Sequence, residues 1–234
     1  WGILGGIIGA RLMHVLDFSS YYLANPAKIF AIWQGGIGFL GSMIGGILFG
    51  GVYAKIKNYP VGKIADYAAP AMAIAHIIGR LGDIWNGEHL SMPTKLPWGW
   101  IFSHPDSPGR LGAERLFGDP EIAVHPAVVY EMIWNSCTVL FLLISRGKFK
   151  LDGSLWVIYM FLYSIGRFAI QFLRIDDVKF TIGGISFQEG HIVTFIIFLI
   201  TLLIMIFYLR PSSGESINQK KSTSGRKKKA QLRT

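Results

Sequence analysis

The sequence contains little charge and almost no cysteine. Only 16% of its 234 residues are charged, whereas about a quarter are charged in an ordinary soluble domain. Cys137 is the only cysteine, which excludes an intrachain disulfide and a CxxC metal site. The H-x-E-x-H zinc pattern, the G-x-S-x-G nucleophile elbow and the phosphate-binding P-loop are absent as well. Metal hydrolases, serine hydrolases and NTPases therefore have no support.

The sequence contains long hydrophobic stretches without charged residues. Hydrophobic residues make up 51% of the chain, and residues 29–54 and 190–209 carry no charged side chain. A helix of about 20 apolar residues crosses a lipid bilayer. The sequence therefore predicts an all-α integral membrane protein, a polytopic helical bundle. Its six predicted spans cover residues of about 1–18, 36–54, 64–86, 126–145, 153–173 and 190–209.

Basic residues indicate which side of the membrane each connection faces. Between the second and third spans, and between the fourth and fifth, lie Lys55, Lys57, Lys63, Arg146, Lys148 and Lys150. They fall on the same side as residues 211–234, which hold seven basic residues and one acid. By the positive-inside rule this side is cytoplasmic. We predict a transmembrane domain, 1–210, with an external loop at about 87–125, and a basic, disordered cytoplasmic tail, 211–234.

The net charge of +9 comes mostly from this tail. A cluster of Lys and Arg beside a membrane helix is typical of the cytoplasmic side or of attraction to anionic lipid. We therefore expect membrane lipid as a partner and no nucleic acid.

An ionisable side chain inside a membrane span costs free energy, so each one inside a predicted span suggests a functional site. Arg80 and Asp83 are three residues apart, so they can pair on one helical face. In the fifth span a single stripe consists of Tyr163, Arg167, Gln171 and Arg174. Two interpretations of Arg174 are open, a ligand-lined helix face or an arginine that reaches to the membrane interface. Arg11 either pairs with Glu131 or reaches the interface in the same way.

Two arginines near the outer leaflet suggest that an anion is bound at membrane depth, and the anion always present there is a phospholipid phosphate. The many glycines of residues 5–10 and 35–51 favour close helix packing. Gly35 and Gly36, at a predicted helix entrance, have a second interpretation, in which their backbone N–H groups face an anion.

Four segments together resemble one known family. They are WQGGIGFLGSMIGG (33–46), GRLGDIWNGEHLSMPTKLPWG (79–99), HPAVVYE (125–131) and YSIGRFAIQFLR (163–174). In this order they resemble the prolipoprotein diacylglyceryl transferases, over all of the chain except the basic tail. The resemblance implies a bacterial plasma-membrane enzyme with seven helices and a cytoplasmic C-terminus. We therefore expect one further helix to precede Trp1.

The resemblance also implies an activity. Members transfer the diacylglyceryl group of phosphatidylglycerol to the lipobox cysteine of a prolipoprotein signal peptide, which forms a thioether and releases glycerol phosphate. No metal and no other cofactor is implied. The catalytic residues implied are Arg80, Arg167 and Glu88. The residues expected to bind phosphatidylglycerol are Gly35, Gly36, Arg80, Asp83, Asn86, Gly87, Tyr163 and Arg167.

The chain departs from the family pattern at several positions. Leu40 stands where well-known members have a histidine proposed as the general base, and Leu40 cannot accept a proton. Asp83 often reads Asn in the family, Gln171 replaces a glutamate, and Ser91 replaces a glycine. Other proton acceptors lie in the same segments, namely His76, Glu88, His125 and Glu131, and the sequence does not choose between them. Two alternatives to the enzyme are a non-catalytic lipid-binding relative and an anionic-lipid transporter.

Overall fold

The computed structural model describes residues 1–36, 38–175 and 178–208. The chain divides into two compact units, Trp1–Ile64 and Ala65–Thr234. The helices are α1 (Gly2–Asp17), α2 (Ser19–Ala24), α3 (Phe39–Ile56), α4 (Val61–Asn86), α5 (Pro108–Phe117), α6 (Ala127–Ile144), α7 (Ser154–Gln171) and α8 (Glu189–Tyr208). Two short 3₁₀ helices, Pro26–Phe30 and Ile32–Gln34, lie before α3. The strands are β1 (Val178–Ile182) and β2 (Ile185–Gln188).

Glycines bring α1 and α3 into backbone contact in the first unit. A Cβ at Gly9 would lie 2.1 Å from the carbonyl oxygen of Gly41, and one at Gly5 would lie 2.4 Å from that of Gly45. Real Cβ atoms do not approach a carbonyl so closely, so only glycine fits there. The predicted role of these small residues in close helix packing is confirmed.

Arg11 is buried in the first unit and does not reach to an interface. Its Nε donates to the carbonyl of Ile29 at 2.7 Å, and its Nη1 donates to those of Gly35 and Gly36, both at 2.8 Å. Carbonyl oxygens thus supply the negative ends of dipoles to this buried cation. The segment before α3 is consequently held against α1.

In the second unit α4 packs against α7. Ala69 and Ala73 of α4 are fully buried beside Leu155, Ile158 and Tyr159 of α7. Small side chains of α4 thus pack against large ones of α7 in the core of the unit. Helix α7 also packs on α6 and α8. The helix that carries Arg167 therefore contacts three other helices.

Asp66 fixes the beginning of α7 from a neighbouring helix. Its Oδ2 accepts the backbone N–H of Gly153 at 2.8 Å, and its Oδ1 accepts that of Leu155 at 2.8 Å. The first N–H groups of a helix have no partner within the helix, and a carboxylate there also complements the helix dipole. Asp66 of α4 therefore caps the N-terminus of α7. Such a cap usually comes from a side chain directly before the helix.

The predicted external loop is ordered by strand-like pairing. Ser91 pairs with Arg174, and Pro93 pairs with Val124, both in antiparallel bridges. The N–H of Met92 donates to the carbonyl of Leu173 at 2.8 Å. This ladder joins the segment after α4 to the residues that follow α7 and to those that precede α6, and it places the ends of all three helices together.

The structure confirms the six predicted helical segments as helices, with boundaries shifted by a few residues. Within the described residues, two helical stretches are both long and apolar enough to cross a membrane, Ala127–Ile144 and Gly190–Phe207. Helix α8 exposes an almost wholly apolar surface, which in water would be an unfavourable patch. Its exposed large apolar side chains are Ile192, Phe195, Ile196, Leu199, Ile200, Leu203, Ile206 and Phe207.

The predicted helical fold is confirmed, but the prediction did not include strands. Strands β1 and β2 form an antiparallel hairpin inside the connection that precedes α8. The connection carries Gly183 and Gly184, both with positive φ, at the hairpin turn. The architecture is mostly helical with one small hairpin. The predicted basic tail, 211–234, lies outside the described residues.

Candidate functional site

Two charged side chains leave the last turns of α4 on one face. Nη1 of Arg80 lies 2.5 Å from Oδ2 of Asp83, as the spacing of three residues predicts. The Nε of Arg80 lies 2.5 Å from Oε2 of Glu131, in the second turn of α6. Arg80 therefore binds two carboxylates, and one of them belongs to another helix.

Glu131 is the centre of this cluster. It is buried, and its Oε1 accepts a hydrogen bond from Nη1 of Arg167. Nη1 of Arg174 lies 3.8 Å from the same oxygen. One carboxylate is thus surrounded by three guanidinium groups, and with Asp83 the cluster has three positive and two negative charges. We call these five residues the arginine cluster: Arg80, Asp83, Glu131, Arg167 and Arg174.

The members of the arginine cluster differ in exposure. The side chains of Arg80 and Arg167 are 22% and 18% exposed, while that of Arg174 is 5% exposed. Arg174 is consequently not an arginine that reaches to the interface. Its backbone is held in the ladder against Ser91, which is itself fully buried. A ligand can approach Arg80 and Arg167, whereas Arg174 supports the cluster from within.

The predicted polar stripe of α7 divides into two parts. Arg167 belongs to the arginine cluster, and Tyr163 lies one turn before it on α7. Gln171, in contrast, is buried, and its Nε2 donates to Oε1 of Gln188 in β2. The Nε2 of Gln188 donates to the carbonyl of Arg174 at 2.9 Å. Gln171 therefore attaches the hairpin to the segment that carries Arg174, and does not extend the accessible face.

His89 is a member of the site that sequence reasoning missed. Nη2 of Arg174 lies 2.7 Å from its Nδ1, and its Nε2 lies 3.3 Å from Oδ2 of Asp83. Its contact with Arg174 spans 85 residues of sequence. No local pattern signals such a contact, so the sequence points to the adjacent Glu88 and not to His89.

Residues 86–88 end α4. Gly87 has a φ of +66°, its N–H donates to the carbonyl of Ile84 at 3.2 Å, and the N–H of Glu88 donates to that of Asp83 at 3.0 Å. This pair of bonds is a Schellman motif with glycine in the left-handed position. A Cβ on Gly87 would lie 2.6 Å from the Cβ of Ser107. The structure gives Gly87 a role in the turn, and contact with a headgroup stays a prediction.

Asn86 and Glu88 contact each other across this turn. The Nδ2 of Asn86 donates to Oε1 of Glu88. Asn86 is exposed and Glu88 is half-buried. The amide therefore fixes the carboxylate at the outer edge of the site, close in sequence to His89.

The two histidines among the candidate proton acceptors occupy different places. The Nδ1 of His76 lies 3.1 Å from the hydroxyl of Tyr159, and its ring lies 5.2 Å from that of Tyr163. Since His76 precedes Arg80 by four residues on α4, both lie on the same helical face. His125 lies instead beside Tyr130, whose hydroxyl accepts the indole N–H of Trp98 at 2.8 Å.

The predicted site residues of the first unit have other partners. The carbonyl groups of Gly35 and Gly36 accept Arg11, and the N–H of Gly35 donates to the carbonyl of Ile32 at 3.3 Å. A role of these glycines in anion binding stays a prediction. Leu40 lies in α3, and its side chain is outside the described part of the structure.

One group of side chains has the composition of a metal site. Among the described residues, Asp83, Glu88 and His89 have ligand atoms within 4.8 Å of one another. However, Asp83 binds Arg80, Glu88 binds Asn86, and the Nδ1 of His89 faces Arg174. Two adjacent guanidinium groups oppose a cation electrostatically, so this group fits a hydrogen-bonded network better than a metal.

The chain is similar to known proteins of one family. The model of a family described as prolipoprotein diacylglyceryl transferase matches residues 1–207. A phosphatidylglycerol–prolipoprotein diacylglyceryl transferase of Clostridioides difficile is 39% identical over 74% of the chain and 63% of the relative. Proteins of the same name from Trichormus variabilis and Geobacter sulfurreducens are 36% and 32% identical, over 76% and 90% of the chain. The chain spans 63% of the Trichormus protein and 76% of the Geobacter protein.

Proposed function

Because the chain belongs to the prolipoprotein diacylglyceryl transferase family, we propose that it transfers the diacylglyceryl group of phosphatidylglycerol to a prolipoprotein cysteine. The observation that carries this proposal is the arginine cluster around the buried Glu131. A cluster with an excess of positive charge and two accessible guanidinium groups is suited to a phosphate at membrane depth.

The proposed reaction is a substitution at carbon. The cysteine thiol loses its proton, and the thiolate attacks the glycerol carbon that carries the phosphate. A carbon–sulfur bond forms while the carbon–oxygen bond to the phosphate breaks. The products are a thioether and glycerol phosphate, which carries the electron pair of the broken bond. The reaction needs a proton acceptor for the thiol and positive charge beside the departing phosphate.

Arg80 and Arg167 supply that positive charge. A guanidinium group has five N–H donors. The described contacts use the Nε and one Nη1 donor of Arg80, and one Nη1 donor of Arg167. Both side chains therefore retain donors for phosphate oxygens. Glu131 orients the two guanidinium groups in advance, so that little reorganisation accompanies the departure of the phosphate.

Among the four candidate acceptors we place His76 first. Both oxygens of Glu131 are occupied by arginines, and Glu88 already accepts a hydrogen bond from Asn86. His125 belongs to the cluster around Tyr130. His76 lies on the face of α4 that carries Arg80, and its hydrogen bond with Tyr159 can hold the imidazole in one orientation.

We also propose a location. Helices α6 and α8 meet the length and composition of membrane spans. We infer that α1, α3, α4 and α7 are spans as well, so that the protein is polytopic in a bacterial plasma membrane. The C-terminus is placed in the cytoplasm by the positive-inside rule. The loop of residues 87–125 then lies at the outer face, where prolipoprotein signal peptides meet the enzyme.

The experiment is a transfer assay with purified protein in detergent, phosphatidylglycerol and a lipobox peptide. Mass spectrometry should show that the peptide gains one diacylglyceryl group, and glycerol phosphate should be released in equal amount. A peptide with serine in place of cysteine is the matched control and should gain nothing.

Other outcomes separate the alternatives. Bound phosphatidylglycerol without any modified peptide would favour the non-catalytic lipid-binding relative. Movement of intact phosphatidylglycerol between leaflets of a reconstituted vesicle, again without covalent change, would favour the transporter. Either outcome contradicts the proposed transfer.

A further inference from the structure

His89 lies between two members of the arginine cluster. Its Nδ1 is 2.7 Å from Nη2 of Arg174, and its Nε2 is 3.3 Å from Oδ2 of Asp83. The ring therefore connects the end of α4 with the segment that follows α7. It is half-buried, with 28% of its side chain exposed.

The partners of the ring determine its protonation. A guanidinium group can only donate hydrogen bonds, so the Nδ1 of His89 must accept and carries no proton. The proton of the neutral ring is then on Nε2, the atom that faces the carboxylate of Asp83. His89 is consequently not an available base, because Arg174 occupies the lone pair of Nδ1.

The backbone holds the ring in this place. His89 has a φ of +66°, in the left-handed region that few non-glycine residues adopt. Two residues later Ser91 pairs with Arg174, and the N–H of Ile175 donates to the carbonyl of Leu90 at 3.3 Å. A strained residue beside the ladder that holds Arg174 indicates a position set by the surrounding structure.

We propose that His89 is a positioning residue, whose neutral Nε2–H tautomer holds the guanidinium group of Arg174 beside Glu131 and the carboxylate of Asp83 beside Arg80. This inference rests on the proposed transfer reaction and adds a pH-dependent element to it. Without the ring, Arg174 loses an acceptor and Asp83 loses a donor. Both groups can then turn towards the phosphate site, where a displaced carboxylate would repel the substrate.

The charges around His89 oppose its protonation. Its pKa is lowered from the ordinary value of 6.5, first by burial and then by the positive charge of Arg174. Arg80 adds to this effect, while Asp83 and Glu88 act against it. Because burial and Arg174 lower the pKa of His89 in the folded state, the ring stays neutral and its contact with Arg174 stays intact at pH 6.5. The contact is lost only at more acid pH, as the pH falls through this lowered pKa.

Two substitutions test the role without straining the backbone. Glycine accepts a positive φ and removes the ring, while asparagine tolerates a positive φ and keeps an acceptor near the position of Nδ1. At about pH 8, where the ordinary histidine is neutral, we expect His89→Gly to lower the transfer rate by about tenfold or more, as loss of a hydrogen bond to a charged group implies. His89→Asn should retain most of the activity, and should lose the decline of activity at acid pH that His89 causes in the parent protein.

A control and a second measurement separate the outcomes. His104→Asn alters an exposed histidine of the same loop and should leave both rate and pH profile unchanged. Nitrogen NMR of histidine-labelled protein should show the signal of a neutral Nε2–H ring, and this signal should be missing in His89→Asn.

The outcomes distinguish the two proposals. If the parent protein transfers lipid and His89→Gly does so equally well, the positioning role is wrong and the transfer reaction stands. If the parent protein transfers nothing, both proposals are wrong. A protonated ring or an Nδ1–H tautomer at about pH 8 overturns the positioning role alone.

Discussion

Arg80 and Glu131 form an ion pair of 2.5 Å that joins the C-terminal end of α4 to the beginning of α6. Glu131 is buried, and its other oxygen accepts Arg167 of α7. A single carboxylate therefore connects three helices at the place where the proposed phosphate site opens. A substitution of Glu131 should therefore affect both the stability and the activity of the protein.

Replacement of Glu131 by glutamine should damage both stability and activity. The neutral amide leaves three guanidinium groups close together without their central counter-charge. Removal of one partner from a buried ion pair costs about 3–5 kcal/mol, and loss of the oriented cations should lower transfer by about a hundredfold. Thermal unfolding in detergent and the transfer assay measure the two effects.

Glu121→Gln is the matched control for this change. Glu121 pairs with Arg110 at 3.4 Å, but its side chain is 73% exposed. An exposed pair contributes at most about 1 kcal/mol, so stability and activity should change little. Equal losses in Glu131→Gln and Glu121→Gln would contradict a special role for the central carboxylate.

Asp66→Ala should destabilise α7. The substitution removes the acceptor for the N–H groups of Gly153 and Leu155. Loss of a helix cap costs about 0.5–2 kcal/mol, and we expect a value in that range from unfolding in detergent. Asp66→Asn retains one acceptor oxygen and should lose less. An unchanged midpoint for Asp66→Ala would show that the cap contributes nothing.

Gly166→Ala should separate α7 from α6. A Cβ at Gly166 would lie 2.2 Å from Nε1 of Trp134, which donates to the carbonyl of Leu162 at 2.9 Å. Overpacking of this kind costs about 1–3 kcal/mol. Gly79→Ala is the control, because no described heavy atom lies within 4 Å of a Cβ there. The contact is unimportant if both variants unfold at the same temperature as the parent protein.

Much of the helical framework could be predicted because its signals are local. Apolar runs identify the six long helices, and the spacing of Arg80 and Asp83 predicts their pairing. The glycines at positions 5, 9, 41 and 45 indicate close packing of α1 on α3. Each of these patterns can be seen within one predicted helix, or by comparing two glycine-rich helices.

The features that escaped prediction depend on contacts between distant segments. The contact of His89 with Arg174 and the cap that Asp66 provides to α7 join residues more than 80 positions apart. The hairpin of β1 and β2 lies in a short connection between long helices, where the apolar pattern of the helices gave no information. Gln171 was predicted on an accessible stripe because helical spacing alone does not show that Gln188 covers it.

The transfer rates of Arg80→Ala and Arg167→Ala test the central claim most directly, with Lys95→Ala as the control in an exposed part of the loop. If the two arginines hold the phosphate of phosphatidylglycerol, both variants should insert in the membrane and lose at least about a hundredfold in transfer, while Lys95→Ala stays active. Full transfer by either arginine variant would contradict the assignment of the arginine cluster as the phosphate site.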